Sequence, residues 1–147
     1  MKRLLLISVL LTLTATPAPA AERKLWATVN ICDTALHPNV IGIRAAVPKR
    51  AARVLMRFRV QYRDGEGRWR WVRSASSGWR KAPRARESGW SFEVAGGGTQ
   101  ILRGVVNYDF LRHGRVVRYV RRVTEVGHPS TVGADPADFS AATCRIV

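Results

Sequence analysis

The side chains that could do chemistry in this chain are three histidines, two cysteines, ten carboxylates and a large excess of arginine. His37 and His128 each precede a proline, and His113 precedes a glycine. No two histidines lie four residues apart, as a zinc-binding helix requires, and there is no Cys-x-x-Cys to supply thiolates. Ser130 lies close to His128, but the Gly-x-Ser-x-Gly of a nucleophile elbow is absent. Asp64 with Glu66, and Asp135 with Asp138, could hold calcium only if other oxygen ligands joined them. Both pairs read as turn residues. Glu87 and Glu93 could form an acid–base pair only if folding brought them together. The spacing therefore assigns no catalytic residue, metal or cofactor, and leaves a secreted hydrolase as a remote alternative.

Arginine is the stronger signal. The chain carries 25 Lys and Arg against 10 Asp and Glu, a formal net charge of +15. Only Lys2, Lys24, Lys49 and Lys81 are lysines. A guanidinium grips phosphate or carboxylate with two parallel hydrogen bonds, and a field of one sign concentrates anions. Usage rich in Ala, Gly, Arg and Pro also fits a GC-rich bacterial genome. That explains arginine in place of lysine better than it explains the excess over acids.

The elements that position these side chains begin after residue 20. Lys2 and Arg3, the apolar run Leu4 to Leu13 and the Ala18-Pro19-Ala20 end form the pattern of a secretory signal peptide cleaved near Ala20. The apolar run is shorter than the roughly 20 residues that span a bilayer. With no later apolar run and no cysteine at the cleavage point, neither a transmembrane segment nor a lipid anchor is expected. Residues 21–147 suit a single domain in the secreted or envelope space, with net charge +13. In an exported chain Cys32 and Cys144 are expected to pair with each other, tying the first strand to the last.

The remainder reads as β. Val54, Met56, Phe58, Val60 and Tyr62 alternate with Leu55, Arg57, Arg59 and Gln61, which is period two with one dry face. The turn "DGEG" (64–67) precedes "RWRWV". A four-residue loop would set Tyr62 opposite Trp69 and Val60 opposite Trp71, with Arg63 opposite Arg68 and Gln61 opposite Arg70. Trp69 and Trp71 would then be core. A second hairpin turns at His113-Gly114. Its simple register sets Phe110 opposite Val117, Tyr108 opposite Tyr119 and Asp109 opposite Arg118. It also sends Arg121 toward the core, a conflict that a sheet edge or a bulge would resolve. Shorter strands are expected at 24–32, 40–47, 88–94 and 141–147.

About seven short strands separated by turns predict an all-β, antiparallel two-sheet sandwich. With the Val54–Tyr62 strand and the late hairpin carrying Tyr108, the region resembles an immunoglobulin or fibronectin type III module. The cysteines depart from the antibody pattern by lying near the chain ends. The resemblance is one of architecture and implies no activity.

On such a sandwich Arg57, Arg59, Arg63, Arg68 and Arg70 would share one sheet face, joined by Arg103, Arg118 and Arg122, with Asp109 opposing them. The stretch "SGWRKAPRARESGW" (77–90) adds a basic loop of Arg80, Lys81, Arg84 and Arg86. Trp90 shares parity with Phe92 and Val94 and is expected in the core; Trp79 has no periodic companions. The face has three open uses: an anionic envelope polymer or acidic glycan, an acidic protein, or the solvated surface of a structural or protein-interaction module, where charge only confers solubility. Nucleic acid is disfavoured because most aromatics fall on core parity, whereas single-strand binding needs exposed stacking platforms. Ligand identity and oligomeric state are not written in the sequence.

Overall fold

A computed structural model describes residues 25–95 and 97–147; the expected signal peptide lies outside the described residues. The strands are β1 (Ala27–Cys32), β2 (Val40–Ala46), β3 (Val54–Arg63), β4 (Trp69–Ser76), β5 (Arg80–Lys81), β6 (Glu87–Glu93), β7 (Gln100–Arg112), β8 (Arg115–Val123) and β9 (Cys144–Ile146). They form two antiparallel sheets. One has the order β1-β2-β6 and the other β4-β3-β7-β8, with β5 paired to β3 and β9 to β7. The two-sheet, all-β architecture is as expected, with the two-residue β5 added and the last strand shorter than expected.

The alternation in β3 sets the core. Val54, Met56, Phe58 and Val60 are buried on its inner side, facing Ile41, Ile43 and Val29 of the smaller sheet. Leu102, Val106 and Tyr108 of β7 complete the layer. Burial pushes the Tyr108 phenol well above its ordinary pKa, and its hydroxyl donates to Ala46 O at 2.9 Å. Trp90, Phe92 and Val94 pack against this core as their parity predicts, Trp90 only half-buried. Cys32 and Cys144 are bonded and join β1 of one sheet to β9 of the other. The loop 124–143 covers the free side of β1 through bridges Val29–Ala141 and Ile31–Asp135. It also buries Thr28, which bonds Ser140, and Asn30, which donates to Gly133 O. A sealed edge cannot template pairing with another chain.

Both hairpins correct the expected registers. In the first, Asp64 N–H donates to Arg68 O at 2.8 Å, so the loop is three residues long. Asp64 Oδ1 accepts from Glu66 N and Arg68 N, and Gly67 takes φ +79°, the left-handed residue that such a loop requires. The pairs become Arg63–Trp69, Tyr62–Arg70 and Gln61–Trp71. A one-residue slip exchanges the two faces. Trp69 and Trp71 therefore lie on the outer side, while Arg70 leaves it; Tyr62, at the strand end, is 37 % exposed. In the second hairpin His113 and Gly114 form the expected turn, both at positive φ. A bulge between Phe110 and Leu111 then shifts the pairs to Phe110–Arg118, Asp109–Tyr119, Asn107–Arg121 and Val106–Arg122. The bulge releases Arg121 outward, and Phe110 ends half-buried beneath Arg118.

Candidate functional site

The outer face of the six-stranded sheet is a grid whose rows follow from the pairing. One row is Trp71, Gln61, Arg103; the next is Ser76, Arg59, Val105, Val123; the third is Arg57, Asn107, Arg121. Arg63 and Trp69 extend it at one end, and Leu55, Asp109 and Tyr119 at the other. Trp79, just before β5, joins from the side.

Arginine and tryptophan alternate in contact across this grid. The Arg59 guanidinium lies 3.6 Å from the Trp71 ring centre, Arg103 4.1 Å from Trp69, Arg57 4.7 Å from Trp79, and Arg121 5.4 Å from Trp71. Stacking of a cation on an indole face contributes about 0.5–2 kcal/mol, depending on desolvation. It also fixes the plane of each guanidinium and leaves its edge donors for another group. Gln61, itself buried, accepts from Arg103 Nε at 2.9 Å and Arg121 Nη2 at 3.5 Å, binding two cations to one amide.

Among the described residues no carboxylate makes an ion pair with Arg57, Arg59, Arg103 or Arg121. Burial, then the neighbouring Arg57 and Arg121, lower the Arg59 pKa from its ordinary value; burial and Arg121 do the same to Arg103. Arginine stays charged at neutral pH regardless, so the cluster holds mutually repelling cations in place. Buried beneath them, Arg57 Nε and Asn107 Oδ1 have no hydrogen-bond partner. Asn107 Nδ2 donates to Tyr119 Oη.

Of the arginines expected on this face, Arg57, Arg59, Arg63 and Arg103 lie there. Arg68 and Arg70 do not join them. Asp64 holds both, Arg70 Nε at 3.0 Å and Arg68 Nε at 3.3 Å, and Glu66 also pairs with Arg68. Arg118 and Arg122 are carried by the bulge to the inner-parity side of β8, where Arg118 stacks on Phe110 and Arg122 donates to Leu25 O. The expected Asp109–Arg118 register pair is replaced by Asp109–Tyr119. Sequence reasoning missed Arg121, Trp69, Trp71 and Tyr119. The signal that could have found the tryptophans is Gly67, placed where a three-residue loop needs a left-handed residue.

The 80–86 basic segment is not wholly loop. Arg80 and Lys81 form β5 on β3, and Arg80 stacks on Trp90 at 4.4 Å; Arg84 and Arg86 are exposed beyond it. The histidines are engaged in structure. His128 stacks on Trp26 at 4.4 Å and meets Glu125 at 3.2 Å. His37 Nδ1 meets Asp135 Oδ2 at 2.9 Å, and the Thr34 hydroxyl bonds the same oxygen. Hydroxyl and imidazole thus meet on one carboxylate oxygen. The contact ties the β1–β2 turn to the 124–143 loop. Among the described residues no three His, Cys, Asp or Glu side chains gather as a metal site, and no helix is long and apolar enough to cross a membrane.

These contacts set an acid limb. The hydrogen bond from Arg70, then the backbone N–H of Arg68, hold Asp64 below its ordinary carboxyl pKa. The Thr34 hydroxyl, then His37, do so for Asp135. A depressed carboxyl contributes its stability above the unfolded value, and that contribution is lost as pH falls through the folded value. Melting temperature is expected to hold from neutrality down to about pH 5 and to fall below about pH 4. Asp64→Asn with Asp135→Asn should lower the neutral plateau and flatten that limb. An acid limb that the double substitution leaves unchanged would refute the assignment. No protein-family model matches this chain, and comparison with curated proteins and with solved structures yields no significant match.

Proposed function

We propose that this is a secreted, non-catalytic binding module that meets an anionic envelope polymer or acidic glycan on the outer face of its six-stranded sheet. One observation carries the reading: four arginines, oriented by tryptophans, share a face without acidic partners among the described residues. Such cations lose repulsion and gain two-pronged hydrogen bonds when a row of anions is laid across them. The orphaned Arg57 Nε and Asn107 Oδ1 add a donor and an acceptor beneath the same row. Export is part of the proposal. It rests on the N-terminal pattern and on a disulfide, which persists in oxidising compartments. The order β1-β2-β6 against β4-β3-β7-β8 supports an immunoglobulin or fibronectin III-like module, the first sheet matching strands A-B-E and the second C′-C-F-G.

The aromatics on the face reopen single-stranded nucleic acid only in part. A guanidinium already lies over Trp69, Trp71 and Trp79, so a stacking base competes with an arginine. A second reading, an acidic protein partner, is favoured by apolar side chains on the strand that carries Arg121: Val116, Val117 and Tyr119 of β8 are more than half exposed. Salt separates the two. Polymer binding weakens steeply with added ions, whereas an apolar contact holds.

The test is titration with polygalacturonate, a carboxylate polymer, and dextran sulfate, with single-stranded DNA as comparison. Replacing Arg57, Arg59 and Arg121 together by glutamine is expected to weaken polymer binding by about 100-fold and to reduce the salt slope by about 2–3. Glutamine at Arg68 and Arg70, cations already held by acids, should change affinity by less than about threefold. Equal losses in the two variants would mean that bulk charge, not this face, is read. Absence of polymer binding by the wild-type chain at physiological salt would overturn the reading.

A further inference from the structure

The basic segment singled out in the sequence is only partly used by the sheet face, because Arg84 and Arg86 lie at the end of the sandwich. There the β2–β3 connection, which includes a short 3-10 turn at Ala51–Arg53, runs beside the β5–β6 connection. Val47 N donates to Arg86 O at 2.9 Å and Ala82 N to Val54 O at 2.9 Å, fixing the two connections against each other. Between them opens a basin of about 880 Å³.

Five cations line it: Lys49, Arg50, Arg53, Arg84 and Arg86. No acid lines it. The adjoining acid, Glu87, is engaged elsewhere, its Oε2 accepting from Val132 N at 3.2 Å. The rest of the lining is small and apolar, Pro48 and Ala51 among it. The cations continue outward, since the next hollow along the same end is lined by Arg53 and Arg112.

We infer that this basin is a second binding site, separate from the sheet face, for a compact carbon scaffold bearing two or more phosphate groups. Its volume falls in the range of small-molecule pockets, about 300–1,000 Å³. An extended polymer suits a flat grid; a concavity suits a ligand of ring size. Five cations around one hollow call for a ligand of high charge density. A carboxylate brings one charge, whereas a phosphomonoester brings about 1.5 to 2 charges and three acceptor oxygens. Guanidinium forks match phosphate geometry, and the small apolar floor accepts the carbon skeleton. The same chemistry is offered by a soluble sugar bisphosphate and by a lipid headgroup whose ring carries two phosphomonoesters.

Calorimetric titration with fructose 1,6-bisphosphate addresses the soluble source. Sedimentation with phosphatidylcholine vesicles containing phosphatidylinositol 4,5-bisphosphate addresses the lipid source. For whichever probe the wild type binds, Arg50→Gln with Arg84→Gln and Arg86→Gln is expected to weaken binding at least about 30-fold. The Arg57, Arg59 and Arg121 triple should stay within about twofold on the same probe. A second variant, Lys49→Gln with Arg53→Gln, reaches the basin without touching the β5–β6 connection and should also weaken binding. Thermal melts matched to wild type show that the variants fold. Binding of one probe alone identifies the source and supports the site. Failure to bind either probe, equal loss in basin and face variants, or equal affinity for citrate would each overturn it. None of these outcomes bears on polymer binding by the sheet face, which has its own variants.

Discussion

Serine at Cys32 is expected to lower the free energy of unfolding by about 2–5 kcal/mol. The bond joins residues 112 apart in sequence, so it closes a loop around nearly every strand. In the chain-entropy account a loop of that size restrains the unfolded chain by about 4–5 kcal/mol. It also joins β1 of one sheet to β9 of the other, so its loss frees the end of the chain from the sandwich. Small domains have about 5–15 kcal/mol in total, so the effect should be plain in urea unfolding. Cys144→Ser should match Cys32→Ser, and the double substitution should cost little more, because one bond is removed in every case. Non-reducing peptide mapping of the wild type should show one Cys32–Cys144 link. A loss below about 1 kcal/mol would mean that the unfolded chain is already restrained in other ways.

Alanine at Gly104 is expected to cost about 1–3 kcal/mol, and valine more. Gly104 lies on the inner side of β7, opposite Val60. A Cβ there would stand 2.6 Å from Thr124 Cγ2 and 2.7 Å from Ile43 Cδ1, closer than real atoms approach. Thr124 cannot yield freely. Its Oγ1 accepts from Gly104 N at 3.1 Å and donates to Ala142 O at 2.6 Å, holding the start of the 124–143 loop. Ile43→Val removes Cδ1, and alone should cost about 0.5–1.5 kcal/mol. In the Gly104→Ala background the same change should cost less, because it removes one of three close contacts, while Thr124 Cγ2 at 2.6 Å and Ile43 Cγ1 at 2.8 Å remain; the double-mutant cycle measures that coupling. Strict additivity would show that the sheets separate rather than that Ile43 is displaced.

Where the sequence could be read correctly, a local pattern settled the matter by itself. Alternation in 54–60 placed Val54, Met56, Phe58 and Val60 inside and Arg57 and Arg59 outside, as found. Two cysteines in a chain with an export pattern sufficed for the disulfide. The candidate face was half legible, and the missing half turned on single-residue choices. Whether "DGEG" closes at Arg63 or at Asp64 depends on one backbone hydrogen bond and one left-handed glycine. That choice decides whether Trp69 and Trp71 are core or surface. The conflict at Arg121 was visible as an arginine aimed at a dry interior, but its remedy, a bulge at Phe110–Leu111, is set by packing across β7 and β8. The basin at the end of the sandwich was harder still. Lys49, Arg50 and Arg53 are separated from Arg84 and Arg86 by three strands of sequence and meet only through the fold.

The three-residue loop at the tip of the β3–β4 hairpin has an evolutionary consequence. Gly65, Glu66 and Gly67 are exposed, the kind of site where lineages usually gain and lose residues freely. Here the closing pair, Asp64–Arg68, decides which side of β4 meets water. Moving the closure to Arg63–Arg68, with four residues in the loop, would turn Trp69 and Trp71 inward and Arg70 outward, and the stacked grid would be lost. Length drift at this tip is therefore restricted to changes that keep the Asp64–Arg68 closure, although the residues themselves are free to vary wherever a left-handed backbone is not required.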